Sequence, residues 1–235
     1  MTLLVEDASS IQPNCYSALT NHWVCKAYLH DRYHDLVHAT VQHLWITGYA
    51  LVLGVLIAFP LALVARRIPR LQAYIVGAST AVYTIPSLAL FPFLVPFTGI
   101  TGTTVVIALA LYALTILVRA MLAGLAGVPD EVREAATGLG YGGGRMLLRV
   151  ELPLALPVMM AGLRVATVST VALTTVGSLV SYGGLGNLIQ DGVRNDFKAE
   201  LLAASVMCVV IAVVLDVIIV GVQWVATPWT RKQAA

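Results

Sequence analysis

Five histidines lie near the start of the chain at spacings that could bind a metal ion. They are His22, His30, His34, His38 and His43. Three of them are four residues apart, so on one continuous helix their imidazoles would share a face, and imidazole nitrogen is a common ligand of divalent metals. The alternative is a polar helix resting on a membrane surface, with nearby aromatic residues as anchors: Trp23, Tyr28, Tyr33 and Trp45. No set of cysteines or carboxylates completes a metal site, so the sequence favours the surface helix.

Hydroxyl side chains recur at helical spacing in two apolar segments. One set is Thr167, Thr170, Thr174 and Ser178, and the other is Thr80, Tyr83, Thr84 and Ser87. Each set places hydroxyl groups on one face of a helix, where they could line a polar path. Serine and threonine also let helices pack closely in lipid. Both interpretations remain open.

Asp216 lies near the middle of another apolar segment, where a lone carboxylate is costly. It could pair with an arginine or accept hydrogen bonds from hydroxyl groups as a structural contact, or it could line a gate. Four further positions are candidates for a gate or for packing: Pro86, a predicted kink, and Gly183, Gly184 and Gly186.

The segments that carry these residues are long enough to cross a membrane. The chain has 235 residues, 59% hydrophobic and 11% charged, whereas soluble domains have about 25% charged residues. A helical span needs about 20 apolar residues. The predicted spans are 39–65, 71–96, 104–122, 154–180 and 201–225, with a Gly- and Thr-rich break at 97–103. The sequence therefore predicts an all-α integral membrane protein of about five helices, with a transmembrane domain at 39–235 and an extracytoplasmic segment at 1–38. The net charge of +2 gives no reason to expect a nucleic-acid partner.

The basic residues predict the orientation of the spans. Nine of the 14 lysines and arginines fall on one side: Arg66, Arg67, Arg70, Arg119, Arg133, Arg145, Arg149, Arg231 and Lys232. Four fall on the other, Lys26, Arg32, Arg194 and Lys198, while Arg164 lies within a span. Because basic loops are retained in the cytoplasm, the N-terminus is predicted outside and the C-terminus inside. A disulfide between Cys15 and Cys25 is possible outside, but spacing alone does not fix it.

The predicted cytoplasmic loop, 124–153, contains a short amphipathic helix. Pro129 suits the first helical position, and Asp130 and Glu131 favour the positive end of the helix dipole. An apolar stripe recurs at spacings of three to four, through Val128, Val132, Ala135 or Ala136, and Leu139. Small residues at 135 and 136 would let a groove on another protein approach closely. The glycines at 138, 140 and 142–144 should stop this helix, and a second short helix is predicted at 146–150.

A longer pattern covers the same loop. Glu134-Ala135-Ala136 is followed by three residues, Gly140, nine residues, and then Val150-Glu151-Leu152-Pro153. This pattern resembles the cytoplasmic EAA loop of permease subunits in ATP-binding-cassette (ABC) importers, apart from Val150, where the family usually has isoleucine. The resemblance implies a type I, methionine-permease-like architecture and a coupling helix that docks on an ATPase. The implied coupling residues are Val132, Glu134, Ala135, Ala136, Leu139, Gly140, Leu152 and Pro153.

Two further segments narrow the resemblance. Thr84–Leu88 and Tyr182–Gly186 stand as in permeases of osmoprotectant importers, which take up glycine betaine, choline or carnitine. Methionine-type permeases carry similar glycine-rich segments, so another small solute such as an amino acid is the alternative. A passive channel is a further alternative, but it would leave the EAA loop without a purpose.

The sequence contains no Gly-x-x-x-x-Gly-Lys-Ser/Thr phosphate-binding loop. We therefore expect no enzyme activity and no cofactor in this chain, with ATP and magnesium bound by a partner ATPase. The resemblance also implies an extracytoplasmic substrate-binding protein, a second permease copy or a sister permease, surrounding lipid, and the bacterial cytoplasmic membrane.

Overall fold

Helices account for nearly all of the part of the chain that the structure, a computed structural model, describes, namely residues 15–17 and 20–229. The α-helices are α1 (Lys26–Asp31), α2 (Tyr33–Arg67), α3 (Pro69–Thr84), α4 (Ser87–Thr98), α5 (Gly102–Ala126), α6 (Asp130–Gly138), α7 (Gly143–Met146), α8 (Leu152–Thr174), α9 (Leu185–Arg194) and α10 (Lys198–Ala226). A π turn (Leu147–Glu151) joins α7 to α8, and a 3₁₀ helix (Thr175–Val180) extends α8. The all-α prediction is confirmed. Arg231 and Lys232, which entered the charge count, lie outside the described residues.

The predicted second span is two helices rather than one. Helices α3 and α4 meet at 101°. The bend lies at Ile85, whose extended backbone (φ −66°, ψ 126°) is the conformation that a following proline favours. Tyr112 on α5 donates its hydroxyl hydrogen bond to the carbonyl of Ile85, so the carbonyl freed by the break has a partner inside the protein.

The bent pair carries the chain from one end of the bundle to the other. At the α2–α3 turn, Arg66 and Gln72 line a cavity together with Leu125 at the end of α5. Gly102, at the other end of α5, packs against the ring of Tyr182. Helices α3 and α4 therefore act as one broken span, and together with α2, α5, α8 and α10 they give five candidate spans among the described residues, in agreement with the sequence.

Helix α5 is the centre of the bundle and α10 lies at its edge. In the most apolar 18-residue stretch of each helix, 61% of α5 is buried inside the protein but only 6% of α10. Small residues let the central helices approach one another: a Cβ atom added to Gly124 on α5 would lie 2.9 Å from the carbonyl oxygen of Ala155 on α8. Such close backbone approach is typical of helix packing in lipid, where van der Waals contact replaces the hydrophobic effect.

The shared-face hypothesis required the histidine segment to be one continuous helix, but the segment is divided between two helices. Arg32 interrupts it with non-helical angles (φ −107°, ψ 20°), so His30 lies on α1 whereas His34 and His38 lie on α2. Within residues 15–17 and 20–229, no group of three His, Cys, Asp or Glu side chains could hold a metal ion. Tyr28 is 2% exposed, so it is a buried residue and not a surface anchor.

The N-terminal segment is tied to the turn between α9 and α10. A disulfide joins Cys15 to Cys25, and the ring of Tyr28 packs edge-on against Phe197 with a centroid distance of 5.2 Å. Asn21 donates to the carbonyl of Asp196 at 2.5 Å and accepts from the backbone of Lys198 at 3.0 Å. We call the described residues from Cys15 to Asp31 the N-terminal cap.

Candidate functional site

Helix α6 lies at the end of the bundle where α2 ends and α8 begins. It starts at Asp130, with Pro129 at the N-cap and not at the first helical position as predicted. Asp130 and Glu131 occupy the first turn, where carboxylates stabilise the positive end of the helix dipole. The predicted helix is thus confirmed, shifted by one residue.

A Schellman motif ends α6. Gly140 has a left-handed φ of +80°; its N–H donates to the carbonyl of Thr137, and the N–H of Tyr141 donates to that of Ala136. This pair of bonds satisfies carbonyls that the helix leaves free, and it requires a residue such as glycine at position 140. The triplet at 142–144 behaves differently from the prediction: Gly143 and Gly144 begin α7. The second helix therefore starts three residues earlier than predicted and runs through the π turn into α8.

The apolar stripe of α6 divides between an inner and an outer face. Val128 and Ala136 are 3% and 7% exposed, so they pack on this chain, and Ala136 is not available to a partner as expected. Leu139 is 79% exposed. The other outward residues of the predicted docking set are Val132, Glu134, Ala135 and Gly140, while Leu152 and Pro153 are partly buried where α8 begins.

Arg133 fixes the inner side of α6 to the bundle. Its guanidinium donates to Asp130 at 2.6 Å, to the carbonyl of Leu125 at 2.7 Å and to Glu151 at 3.1 Å. Burial alone would lower the pKa of Arg133, but its hydrogen bonds to the two carboxylates raise that pKa above its ordinary value. The side chain therefore stays charged and can bind all three oxygens.

Glu151 has a role that sequence reasoning missed. Its side chain is only 3% exposed, and Arg66 binds both of its carboxylate oxygens while Arg133 binds one of them. Glu151 occupies the unspecified position between Val150 and Leu152 in the motif. A carboxylate at the start of an apolar span was the signal that could have identified it, since such a group needs a partner.

The hydroxyl set on α8 lies inside the chain. Thr167, Thr170 and Thr174 are all under 3% exposed, and each donates to the carbonyl four residues earlier. Thr174 also shares a hydrogen bond with Thr47 of α2 at 3.0 Å. The structure thus shows the packing alternative for these three, while Ser178 lies on the 3₁₀ helix, partly buried. Their role in a path stays a prediction.

The second hydroxyl set gathers at the bend between α3 and α4. Tyr83 and Thr84 are exposed at the end of α3, and Ser87 is the first residue of α4. Thr80 is partly buried and accepts a hydrogen bond from Arg119 at 2.8 Å. Pro86 occupies the bend itself. This set, unlike the first, presents polar groups on the surface of the chain.

The glycines after α8 allow backbones to touch. A Cβ atom on Gly183 would lie 2.5 Å from the backbone nitrogen of Ser178, and one on Gly184 would lie 2.7 Å from the Cα of His43. Gly186 lies against Thr175 just as closely. The geometry therefore shows packing for these three glycines. Asp216 pairs with Arg164, which is the structural contact considered for it.

Comparison with known proteins agrees with this architecture. Residues 44–232 match the family described as the binding-protein-dependent transport system inner membrane component. The carnitine transport permease protein OpuCB of Listeria monocytogenes is 31% identical over 86% of this chain and 92% of its own length. The osmoprotectant import permease protein OsmW of Salmonella typhimurium is 34% identical over 86% and 96%, respectively.

A solved structure has the same fold. The inward-facing MetNI methionine ABC transporter contains a chain that superimposes with a TM-score of 0.74 at 20% identity, over 84% of this chain and 98% of that one. At this identity the likeness concerns the fold alone. Together with the family match over 44–232, it shows that the chain belongs to the binding-protein-dependent transport system inner membrane components, the permease subunits of ABC importers.

Proposed function

We propose that this permease subunit carries quaternary ammonium osmoprotectants such as glycine betaine, choline or carnitine into the cell at the expense of ATP hydrolysed by a partner. The observation that carries the proposal is the exposed face of α6, which holds the Glu-Ala-Ala motif outside the bundle. The substrate class is supported by relatives at 31–34% identity that are named for carnitine, choline and osmoprotectants. The likeness to the methionine transporter, at 20% identity, concerns the fold alone and does not favour methionine as the solute.

The ATPase would receive α6 in a groove. Leu139 and Val132 offer exposed apolar side chains, Ala135 has no bulk to keep a partner away, and Glu134 adds a charge beside them. A short helix with these features suits the helix-in-groove mode of recognition. ATP and magnesium would be bound by the ATPase, and a separate binding protein would deliver the solute on the opposite side.

The solute path would be built by two permeases around the bend between α3 and α4. Tyr83, Thr84 and Ser87 are polar or aromatic groups at the surface of one chain, so a second copy or a sister permease facing them would enclose a polar passage. Closure of the ATPase pair on ATP would draw the two α6 helices together and open this passage outward. The buried hydroxyls on α8 would join it only if α2 moves away.

The cap would lie outside the bacterial inner membrane and α6 inside. The end that carries α6 also carries Arg66, Arg67, Arg70, Arg133, Arg145 and Arg149, the bias that keeps loops in the cytoplasm. The disulfide of the cap is supporting evidence, because such bonds persist in oxidising compartments.

The test is solute uptake by the complete importer in proteoliposomes. The permease is reconstituted with its co-expressed ATPase and binding protein. Uptake of labelled glycine betaine, choline, carnitine and methionine is then measured in the presence of ATP and, separately, in the presence of a non-hydrolysable analogue. ATP-dependent uptake of the first three is expected. Preferential uptake of methionine would overturn the substrate proposal, and uptake without ATP would indicate a passive channel.

A pair of variants tests the docking face in the same vesicles. Leu139→Asn removes the most exposed apolar group of α6 and should abolish ATP-dependent uptake. Leu148→Asn is the control, since Leu148 is 66% exposed in the same loop but lies outside the docking set. Equal uptake by both variants and the wild type would argue against docking through α6.

A further inference from the structure

Glu151 joins three helices at the ATPase end of the bundle. It ends the π turn before α8, Arg66 is the penultimate residue of α2, and Arg133 lies on α6. Arg66 binds the carboxylate through two nitrogens, and the Nε of Arg133 binds Oε1 at 3.1 Å. We call these three residues the ionic clamp. A carboxylate that is 3% exposed is costly without partners, so the clamp disfavours separation of the helices.

Arg133 is the main attachment of α6 to the clamp and to the bundle. Ala136 is the one buried residue within α6, and a methyl group fixes the helix only weakly. Arg133 by contrast binds two oxygens outside α6, the carbonyl of Leu125 on α5 and the carboxylate of Glu151, as well as Asp130 on α6 itself. The planar fork of a guanidinium makes such bonds directional. A force applied to the outer face of α6 therefore reaches Glu151 through Arg133.

The segment that holds Glu151 departs from α-helical geometry. The N–H of Leu152 bonds to the carbonyl of Leu147, five residues back, in the π turn Leu147–Glu151. Single π turns of this kind are rare and are frequently found at functional sites. Here the turn precedes the long helix α8 and ends at the residue that both arginines bind.

We propose that Glu151 is a positioning residue that transmits movement of α6 to the first span, α2, as well as to α8. This inference rests on the proposed function, in which α6 docks on the ATPase. Through the clamp, movement of α6 pulls on the end of α2 at Arg66 and on the start of α8 together. Without the clamp, the ATPase still binds α6 and hydrolyses ATP, but the spans no longer follow.

The measurement is the number of solute molecules imported per ATP hydrolysed, in proteoliposomes that contain the complete importer. Glu151→Gln removes the charge that both arginines share, and Arg133→Lys keeps the positive charge but replaces the planar fork by a single ammonium nitrogen, whose donors do not reproduce the directions of the guanidinium N–H groups. Both variants should lower the ratio by about tenfold, the size typical of losing one strong coupling between neighbouring residues. Arg67→Lys is the matched control, because Arg67 is exposed beside Arg66 and should leave the ratio unchanged.

The ratio separates transmission from a merely structural role. If the clamp only stabilises the fold, import and ATP hydrolysis fall together, the ratio stays at the wild-type value, and the proposal is overturned. If Glu151→Gln fails to assemble, Arg133→Lys decides, since it keeps the pair of Arg66 and Glu151; an unchanged ratio there also overturns the proposal. Absence of ATP-dependent import by the wild type would instead contradict the proposed function itself.

Discussion

Arg164 on α8 binds both carboxylate oxygens of Asp216 on α10, through Nε at 2.7 Å and a terminal nitrogen at 2.8 Å. The two residues are 52 positions apart, and each is a charged side chain within an apolar span for which the sequence alone identified no partner. Their pairing neutralises both in the apolar region and joins the edge helix α10 to the bundle. A bidentate pair of this kind is both strong and directional.

We expect Asp216→Asn to destabilise the permease, because it leaves the Arg164 guanidinium without a charged partner. The thermal midpoint in detergent should fall by several degrees. Arg164→Leu combined with Asp216→Leu should recover most of the loss, since replacing both charges by apolar groups leaves neither unpaired. A double-mutant cycle on the melting temperatures measures this coupling. Normal stability of Asp216→Asn with lost transport would instead indicate a gate.

We expect Gly184→Ala to separate α2 from α9. The added methyl group would lie 2.7 Å from the Cα of His43. Overpacking of this kind lowers the stability of the fold by about 2 kcal/mol. The backbone at Gly184 (φ +56°, ψ −121°) is one that a residue with a Cβ rarely adopts, and holding alanine there adds about 1–3 kcal/mol. Gly48→Ala is the control, because a Cβ there meets nothing within 4 Å; replacement of a helical glycine should raise stability by up to about 1 kcal/mol. Unfolding of both variants in denaturant tests this difference.

The sequence predicted the elements better than the contacts between them. Apolar length and the Glu-Ala-Ala spacing correctly predicted five candidate spans in the described part of the chain and the amphipathic helix α6. They could not tell that Ala136 faces inward and Ala135 outward, because the two side chains are chemically identical. That choice depends on Arg133, whose partner Glu151 is 18 residues away, and on Arg66, which is 85 residues from Glu151.

The same limit explains the hydroxyl sets. Periodicity showed that Thr170 and Thr174 share a face of α8, but it could not show what that face meets. Thr47 of α2, 127 residues from Thr174, covers it. The proline at 86 predicted a kink, whereas the bend of 101° also depends on Tyr112, which binds the carbonyl of Ile85 from another span.

We expect acid to loosen the N-terminal cap. The hydroxyl of Tyr16 donates to Asp31 at 2.7 Å, and this hydrogen bond holds the pKa of the Asp31 carboxyl below its ordinary value. A carboxyl with a lowered pKa stabilises the folded state above the ordinary pKa of about 4, and that contribution is lost as the pH falls through the lowered value. Reduction of the Cys15–Cys25 disulfide by a phosphine should therefore accelerate in acid. Tyr16→Phe should reduce this dependence; an identical pH profile for the variant would exclude the contribution.

We expect cysteines at the two hydroxyl sets to differ in reactivity. In a Cys208→Ser background, Thr84→Cys should react quickly with a water-soluble maleimide, because Thr84 is exposed at the bend. Thr170→Cys should react slowly, because Thr170 is 2% exposed and bonded to the carbonyl of Ala166. Addition of ATP and the binding protein tests whether α2 moves away. Rapid labelling at 170 in any transport state would place the α8 hydroxyls in the path after all.

The orientation of the cap can be tested with its own cysteines. Cys15 and Cys25 are joined by a disulfide, so neither thiol should react with a maleimide until a reductant is added. In right-side-out vesicles of the Cys208→Ser variant, a membrane-impermeant maleimide should then label both, because the distribution of basic residues predicts that the cap lies outside. The matched control is Leu139→Cys in the same Cys208→Ser variant, with Cys15 and Cys25 also replaced by serine. Its side chain is 79% exposed on α6, yet it should react only after the vesicles are opened, because α6 is predicted to lie in the cytoplasm. The reverse pattern of labelling would invert the topology and place the ATPase-docking face outside, which would contradict the proposed function at its foundation.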